Sequence, residues 1–252
     1  MTVPSAGWLL DLGNSRLKCA RLDARGDAGE VLAFDHADPA FVDTVISRLG
    51  PARADDTAWL ASVAPASLAA SLESALLAAG FKVHRVRTQA ACGRLRIAYA
   101  RPESLGVDRF LALLAASGRS DGPWLLVSAG SAITLDLLAA DGTHLGGAIA
   151  PTPEAMRAAL AARFAQLDVD AGTATDFAAD TADAIATGCE GAAVGLVERS
   201  LRAAHRRLGA MPTLLVAGGG AGLLAAIEHS PVVLQPTLVI DGLAAYVLEQ
   251  AR

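Results

Sequence analysis

The chain has 252 residues, 53% hydrophobic and 19% charged, which supports a packed core and excludes a disordered or fibrous chain. A net charge of −5 and a pI near 5.5 leave no basic footprint for nucleic acid, and His205, Arg206 and Arg207 read as a solvated helix end. Cys19, Cys92 and Cys189 lack CxxC or zinc spacing and read as reduced thiols. No run approaches the roughly 18 apolar residues of a membrane span and no basic start precedes an apolar leader, so a soluble cytoplasmic protein is expected.

Taken in order, residues 8–10 form an apolar strand that Asp11 closes, where a carboxylate can project from the strand end. Gly13, Asn14 and Ser15 make a tight turn. Glycine leaves room for a ligand and Asn and Ser donate hydrogen bonds, so the tip can hold phosphate, with Lys18 just beyond to neutralise it. The same residue types also make an ordinary hairpin turn. Strands at 17–22 and 30–34 complete a meander. Helices at 40–49 and 65–79, the latter with Pro in its first turn, alternate with strands at 57–63 and 81–86. That order is an α/β layer architecture with a mixed sheet.

Residues 99–109, YARPESLGVDR, lead into an apolar helix at 110–116. Asp108 stands at or just before the helix start, where free amides favour a carboxylate, and as a plain cap it needs no function. Arg109 can be its ion-pair partner, yet Gly106 leaves the pair open to a ligand. The second half opens with WLLVSAGS, 124–131, repeating the aromatic residue, apolar strand and Gly turn of WLLDLGNS. After Asp136 and an Asp141, Gly142 turn, a strand at 144–150 carries Gly146 and Gly147, which indicate a bulge or a close backbone approach. A helix at 153–167 and a polar loop at 168–180 follow. A long helical region at 181–208, interrupted near Gly188 and Gly191, then leads to a strand at 213–217. That strand enters the glycine-rich run 218–222, suited to a nucleotide phosphate or adenosine. A strand at 232–234 and a helix from Leu238 close the chain. The repeat divides it into domains 1–119 and 120–252. P-loop and GxSxG signatures are absent, and the glycine run is a poor Rossmann fingerprint.

Several segments together resemble type III pantothenate kinase, of the acetate and sugar kinase, chaperone and actin superfamily. DLGNSRLK at 11–18 is similar to the family's DxGN[T/S]xxK phosphate motif, and GVDR at 106–109 to its GxDR motif, with Tyr99 and Pro102 upstream. GSAITLD at 130–136, GGAIAP at 146–151 and DTADAIATG at 180–188 follow in the family's order. The resemblance implies two similar actin-like (ribonuclease H-like) domains, each a mixed sheet opening with a three-strand meander and flanked by helices. It implies ATP-dependent phosphorylation of pantothenate to 4′-phosphopantothenate, the first step of coenzyme A biosynthesis. Asp11, Leu12, Gly13, Asn14, Ser15, Arg16, Leu17 and Lys18 would cradle the ATP phosphates, with Ser131 as a further contact and Asp11 helping to hold Mg²⁺ with ATP. Asp108 would be the general base. Tyr99, Gly106, Val107, Asp108, Arg109 and Thr181 would bind pantothenate, in a homodimer.

The family places a monovalent cation (K⁺ or NH₄⁺) on an Asp where this chain has Ser128, so weakened binding is expected, because a hydroxyl brings no negative charge. Thr152 stands where Gly is common, followed by Pro153. The alternative is a catalytically weak or inactive relative with a regulatory or accessory role. A nucleotide hydrolase would need a positioned water, and GVDR with Tyr99 argues against it.

Overall fold

The computed structural model describes residues 7–23, 25–53, 56–119, 122–164, 166–169, 171–218, 227 and 230–251. The chain forms two compact units. One comprises Met1–Ser120, Asp141–His144 and Thr237–Arg252, the other Asp121–Ala140 and Leu145–Pro236.

The first unit opens with β1 (Gly7–Leu12), β2 (Arg16–Leu22) and β3 (Leu32–Asp35), then α1 (Phe41–Leu49), β4 (Thr57–Ser62), α2 (Ala66–Ala78) and β5 (Lys82–Arg85). The sheet order is β3-β2-β1-β4-β5, with the first three strands antiparallel and β1, β4 and β5 parallel. Strand alternation sorts the side chains. Leu10 and Leu12 of β1, with Leu17 and Cys19 of β2, join Phe41, Val45, Leu72 and Leu76 in a core beneath α1 and α2. Leu9 and Asp11 therefore project to the opposite face.

Two elements cover that face, the helix α3 (Val107–Ser117) and the terminal helix Leu238–Gln250, which pack on each other and on β4 and β1 respectively. This differs from the expected boundary at residue 120, because the terminal helix belongs with the first unit. Its hydrophobic pattern announces a helix but not the sheet it covers. Between β5 and α3 a two-residue hairpin, β6 (Ala91–Cys92) and β7 (Leu95–Arg96), and a 3₁₀ turn at Pro102–Ser104 also went unanticipated; both are shorter than any periodicity can show.

The second unit repeats the plan. β8 (Trp124–Ala129), β9 (Ile133–Leu138), β10 (His144–Ala150), α4 (Pro153–Arg163), α5 (Thr181–Leu208), β11 (Thr213–Gly218) and β12 (Val232–Leu234) precede the terminal helix, α6. The sheet order β10-β9-β8-β11-β12 is the same permutation as in the first unit, which confirms the internal repeat. Ala193, Val197 and Leu201 of α5 pack on Leu125, Val127, Ile133, Leu135, Leu214 and Val216. Ser128, Thr134 and Asp136 lie on the other face by alternation.

Helix α5 runs through Gly188 and Gly191 without the expected interruption. A helical glycine costs about 1 kcal/mol, which the buried stripe Ala186, Cys189, Ala193 and Val197 outweighs. Helix α4 stops at Arg163 instead of 167, and its Thr152 Oγ1 accepts the Ala155 N–H at 3.2 Å, so the Thr-Pro departure serves as a cap. Gly146 takes φ 108° with open space where a Cβ would sit, so conformation rather than a close approach explains that glycine. Residues 219–222 of the glycine-rich run lie outside the described residues. Among the described residues no helix is long and apolar enough to cross a membrane, and the three cysteines are free and buried.

Candidate active site

The first unit gathers most of the expected site. β1 ends at Leu12, and the turn to β2 is closed by the Gly13 N–H donating to the Arg16 carbonyl at 3.0 Å, leaving Asn14, Ser15 and Arg16 exposed. Asp11 pairs with Lys18 across β1 and β2, so both side chains share a face. Leu17, expected among the ATP contacts, is fully buried in the core under α1, as Leu12 is, so these two shape the turn from below.

Asp108 sits within the first turn of α3, not before it, and its Oδ1 accepts the backbone N–H of Arg109 at 2.8 Å. A Cβ on Gly106 would lie 2.6 Å from that same oxygen, so glycine here is what lets the carboxylate fold back over the helix start. The carboxyl of Asp11 is pushed up from 3.8 to about 7, first by burial and then by the negative charge of Asp108, with Lys18 pulling the other way. Asp11 and Asp108 thus share one electrostatic site at the end of β1, where the charge of Asp108 disfavours ionisation of Asp11.

Beside them Arg109 is 7% exposed. Its Nη1 donates to the Tyr99 hydroxyl at 3.3 Å and its guanidinium stands 5.9 Å from the Tyr99 ring centre. His144, 1% exposed, stacks on Tyr99, with the ring centres 5.9 Å apart at 22°, and its Nδ1 accepts the Ala98 N–H at 3.4 Å. His144 was legible only as the first residue of a strand, because its partners are about 45 positions away. His36 was likewise missed; its Nε2 lies 3.2 Å from the Gly13 carbonyl.

The other expected residues belong to the second unit. Ser128 pairs with Thr134 and Ala217 as Asp11 pairs with Lys18 and Ala61, so Ser128 is the counterpart of Asp11 in the repeat. Asp136, 3% exposed, shares its face. Ser131 is exposed in the β8–β9 turn, which the Gly130 N–H closes onto the Ala132 carbonyl at 3.1 Å. Thr181, exposed, begins α5 after the Asp180 cap and lines a groove of about 590 Å³ with Leu160, Leu167, Ile185 and Cys189. Among the described residues no group of three or more His, Cys, Asp or Glu side chains is placed to hold a metal ion.

A family model for type III pantothenate kinase matches residues 8–203, which span Asp11, Tyr99, Asp108, Arg109, Ser128 and Thr181. The chain belongs to the type III pantothenate kinase family. A type III pantothenate kinase from Stenotrophomonas maltophilia is 48% identical over 244 residues, 96% of this chain and 98% of that protein. Among solved structures, a Baf family protein from Campylobacter jejuni aligns with a TM-score of 0.63 at 19% identity, over 97% of this chain and 98% of the other. The activator of the 2-hydroxyisocaproyl-CoA dehydratase from Clostridium difficile, with bound ADPNP, aligns with a TM-score of 0.52 at 10% identity, over 97% and 94%. At those identities the two structures establish the fold alone, and it is the actin-like fold expected of a type III pantothenate kinase.

Proposed function

We propose that the Asp11, Lys18, Asp108 and Arg109 cluster of the first unit carries out the family's reaction, transfer of the γ-phosphoryl group of ATP to the primary hydroxyl of pantothenate. The product is 4′-phosphopantothenate, and the step opens coenzyme A biosynthesis. The observation that carries the assignment is the electrostatic coupling of Asp108 to Asp11 at the end of β1, directly beside a glycine turn with exposed polar residues.

In this reading the pantothenate hydroxyl oxygen forms a bond to the γ-phosphorus as the bond to the β–γ bridging oxygen breaks and ADP leaves. Asp108 accepts the hydroxyl proton. The exposed turn Gly13–Arg16 and Lys18 receive the phosphates, the turn through amide donors and Lys18 as a point charge. Arg109, ordered against Tyr99 by a hydrogen bond and ring contact, offers its planar fork to the substrate carboxylate, with Gly106 and Val107 forming the adjacent backbone. Thr181 would add a hydroxyl to pantothenate and Ser131 one to ATP.

The donors present suit Mg²⁺, since Asp11 is a carboxylate whose ionisation is held back by burial and by a neighbouring carboxylate, a situation a hard divalent cation relieves. Asp11 would hold that ion together with phosphate oxygens. Once bound with ATP, Mg²⁺ supplies charge neutralisation at the phosphoryl oxygens. The counterpart position carries the neutral Ser128 hydroxyl in place of a carboxylate, so we assign this chain a weak requirement for K⁺ or NH₄⁺. A cytoplasmic homodimer completes the reading.

The test is ADP release in a coupled assay, with and without pantothenate, and mass analysis of the product. Release that requires pantothenate, with a product heavier by one phosphoryl group, is expected. Equal ATP turnover without pantothenate would overturn the reading in favour of a hydrolase.

A further inference from the structure

We infer that His36 is a positioning residue for the phosphate turn, fixing the Gly13–Asn14 and Ser15–Arg16 peptide groups. The inference rests on the reading that Gly13–Arg16 receives the ATP phosphates.

His36 follows β3 directly. The pairing of Arg16 with Asp35 brings the next residue, His36, beside Ser15, and the His36 N–H approaches the Ser15 carbonyl at 3.5 Å. Its side chain reaches further along the same turn, with Nε2 3.2 Å from the Gly13 carbonyl. A carbonyl oxygen only accepts, so Nε2 is the protonated nitrogen in this contact. Phe41 meets the imidazole edge-on, 5.9 Å between ring centres at 71°, which fixes the plane of the ring. The backbone of His36 is itself held by an Asx turn, in which Asp35 Oδ1 accepts the Ala37 N–H at 2.9 Å.

One residue therefore engages the Gly13 and Ser15 carbonyls, whose peptide groups flank the Asn14–Ser15 peptide. In a trans peptide the C=O and N–H point in opposite directions. Anchoring the Gly13 carbonyl on the imidazole turns the Asn14 N–H to the far side of the turn, and anchoring the Ser15 carbonyl does the same for the Arg16 N–H. The Gly13 N–H is already engaged by the Arg16 carbonyl. Glycine at position 13 gives the following peptide unusual freedom to rotate, and a flip would exchange an amide donor for a carbonyl oxygen, which repels phosphate. The His36 contact opposes that flip without touching the nucleotide.

The test uses the full-length protein and four variants, His36→Phe, His36→Asn, His36→Gln and Lys18→Ala. Calorimetric affinity for Mg²⁺ with a non-hydrolysable ATP analogue is measured alongside the KM for each substrate and the thermal midpoint. Phe keeps the ring and its packing but donates nothing, and Asn donates but falls short of the carbonyl. Both should weaken nucleotide binding about five- to tenfold, the size of one lost hydrogen bond in a preorganised turn, with the pantothenate KM within about twofold. Gln carries an N–H at a reach similar to Nε2 and should recover affinity to within about twofold of the unmodified protein. A purely structural role would lower the thermal midpoint, shift both substrates alike and show no rescue by Gln, and that pattern overturns the inference. Unchanged nucleotide affinity in the Phe and Asn variants overturns it too, while loss in Lys18→Ala would leave the phosphate reading standing. Unchanged affinity in Lys18→Ala would remove the phosphate reading and the His36 role together.

Discussion

Replacing Asp11 by Asn should make the ligand-free protein more stable and the enzyme worse. In the folded chain the Asp11 carboxyl titrates at about 7 instead of 3.8, because burial and Asp108 disfavour its charge. Below pH ~4 the group is protonated in both folded and unfolded chains and the environment costs nothing. Between pH ~4 and ~7 the folded chain retains a proton that the unfolded chain has released, so stability falls as pH rises, and above ~7 the full penalty is present. The span from 3.8 to about 7 corresponds to roughly 4 kcal/mol, and since Asp11 keeps part of its surface in water, screening leaves about 2 kcal/mol. Asn has the same shape and no charge. At pH 8 the variant should melt about 4–8 °C above the unmodified protein, with the two converging near pH 4. Calorimetric melting without nucleotide or divalent metal, from pH 4 to 8, measures both points. The same variant should bind Mg·ATP more weakly while leaving pantothenate nearly unaffected. A melting point at or below that of the unmodified protein at pH 8, or a difference independent of pH, would refute the electrostatic argument.

Gly106→Ala places a Cβ 2.6 Å from Asp108 Oδ1, so the carboxylate must move; kcat should fall about tenfold or more with little change in ATP affinity, as steady-state and binding measurements would show. Gly242→Ala brings a Cβ to 2.0 Å from the Leu111 carbonyl, forcing α3 and α6 apart; a loss of roughly 1–3 kcal/mol should appear in denaturant unfolding. Activity should depend little on potassium, and Ser128→Asp should lower the potassium concentration for half-saturation, because a carboxylate offsets the ion's loss of hydration. Titrating KCl against a bulky organic cation at constant ionic strength checks this, and strong stimulation of the unmodified protein at low potassium would contradict it.

The parts of this fold that were legible in sequence are those whose information is local. The bounds of 144–150 and 181–208 match the observed elements, because the Asp141, Gly142 turn and the polar loop 168–180 are written beside the elements they bound. The repeat was visible too, although aligning it on Trp8 and Trp124 would misplace the site by one residue. The turn glycines and strand registers equate Asp11 with Ser128. What stayed hidden depends on tertiary neighbours. Nothing near Leu238 says that its helix covers β1, and nothing near His144 or His36 says that the first stacks on Tyr99 and the second grips Gly13. The proximity of Asp11 and Asp108, 97 positions apart, came to sequence reasoning only through the family resemblance. In the structure it follows from strand alternation and the helix that covers that face.

Asp108→Asn tests Asp108 as the acceptor of the pantothenate proton most directly, with the smallest change of shape. With Gly106 and the Arg109 amide contact retained, the variant should fold and bind ATP within about threefold of the unmodified protein, while kcat for pantothenate-dependent ADP formation falls by roughly 10² or more. Undiminished turnover in Asp108→Asn would contradict the mechanism.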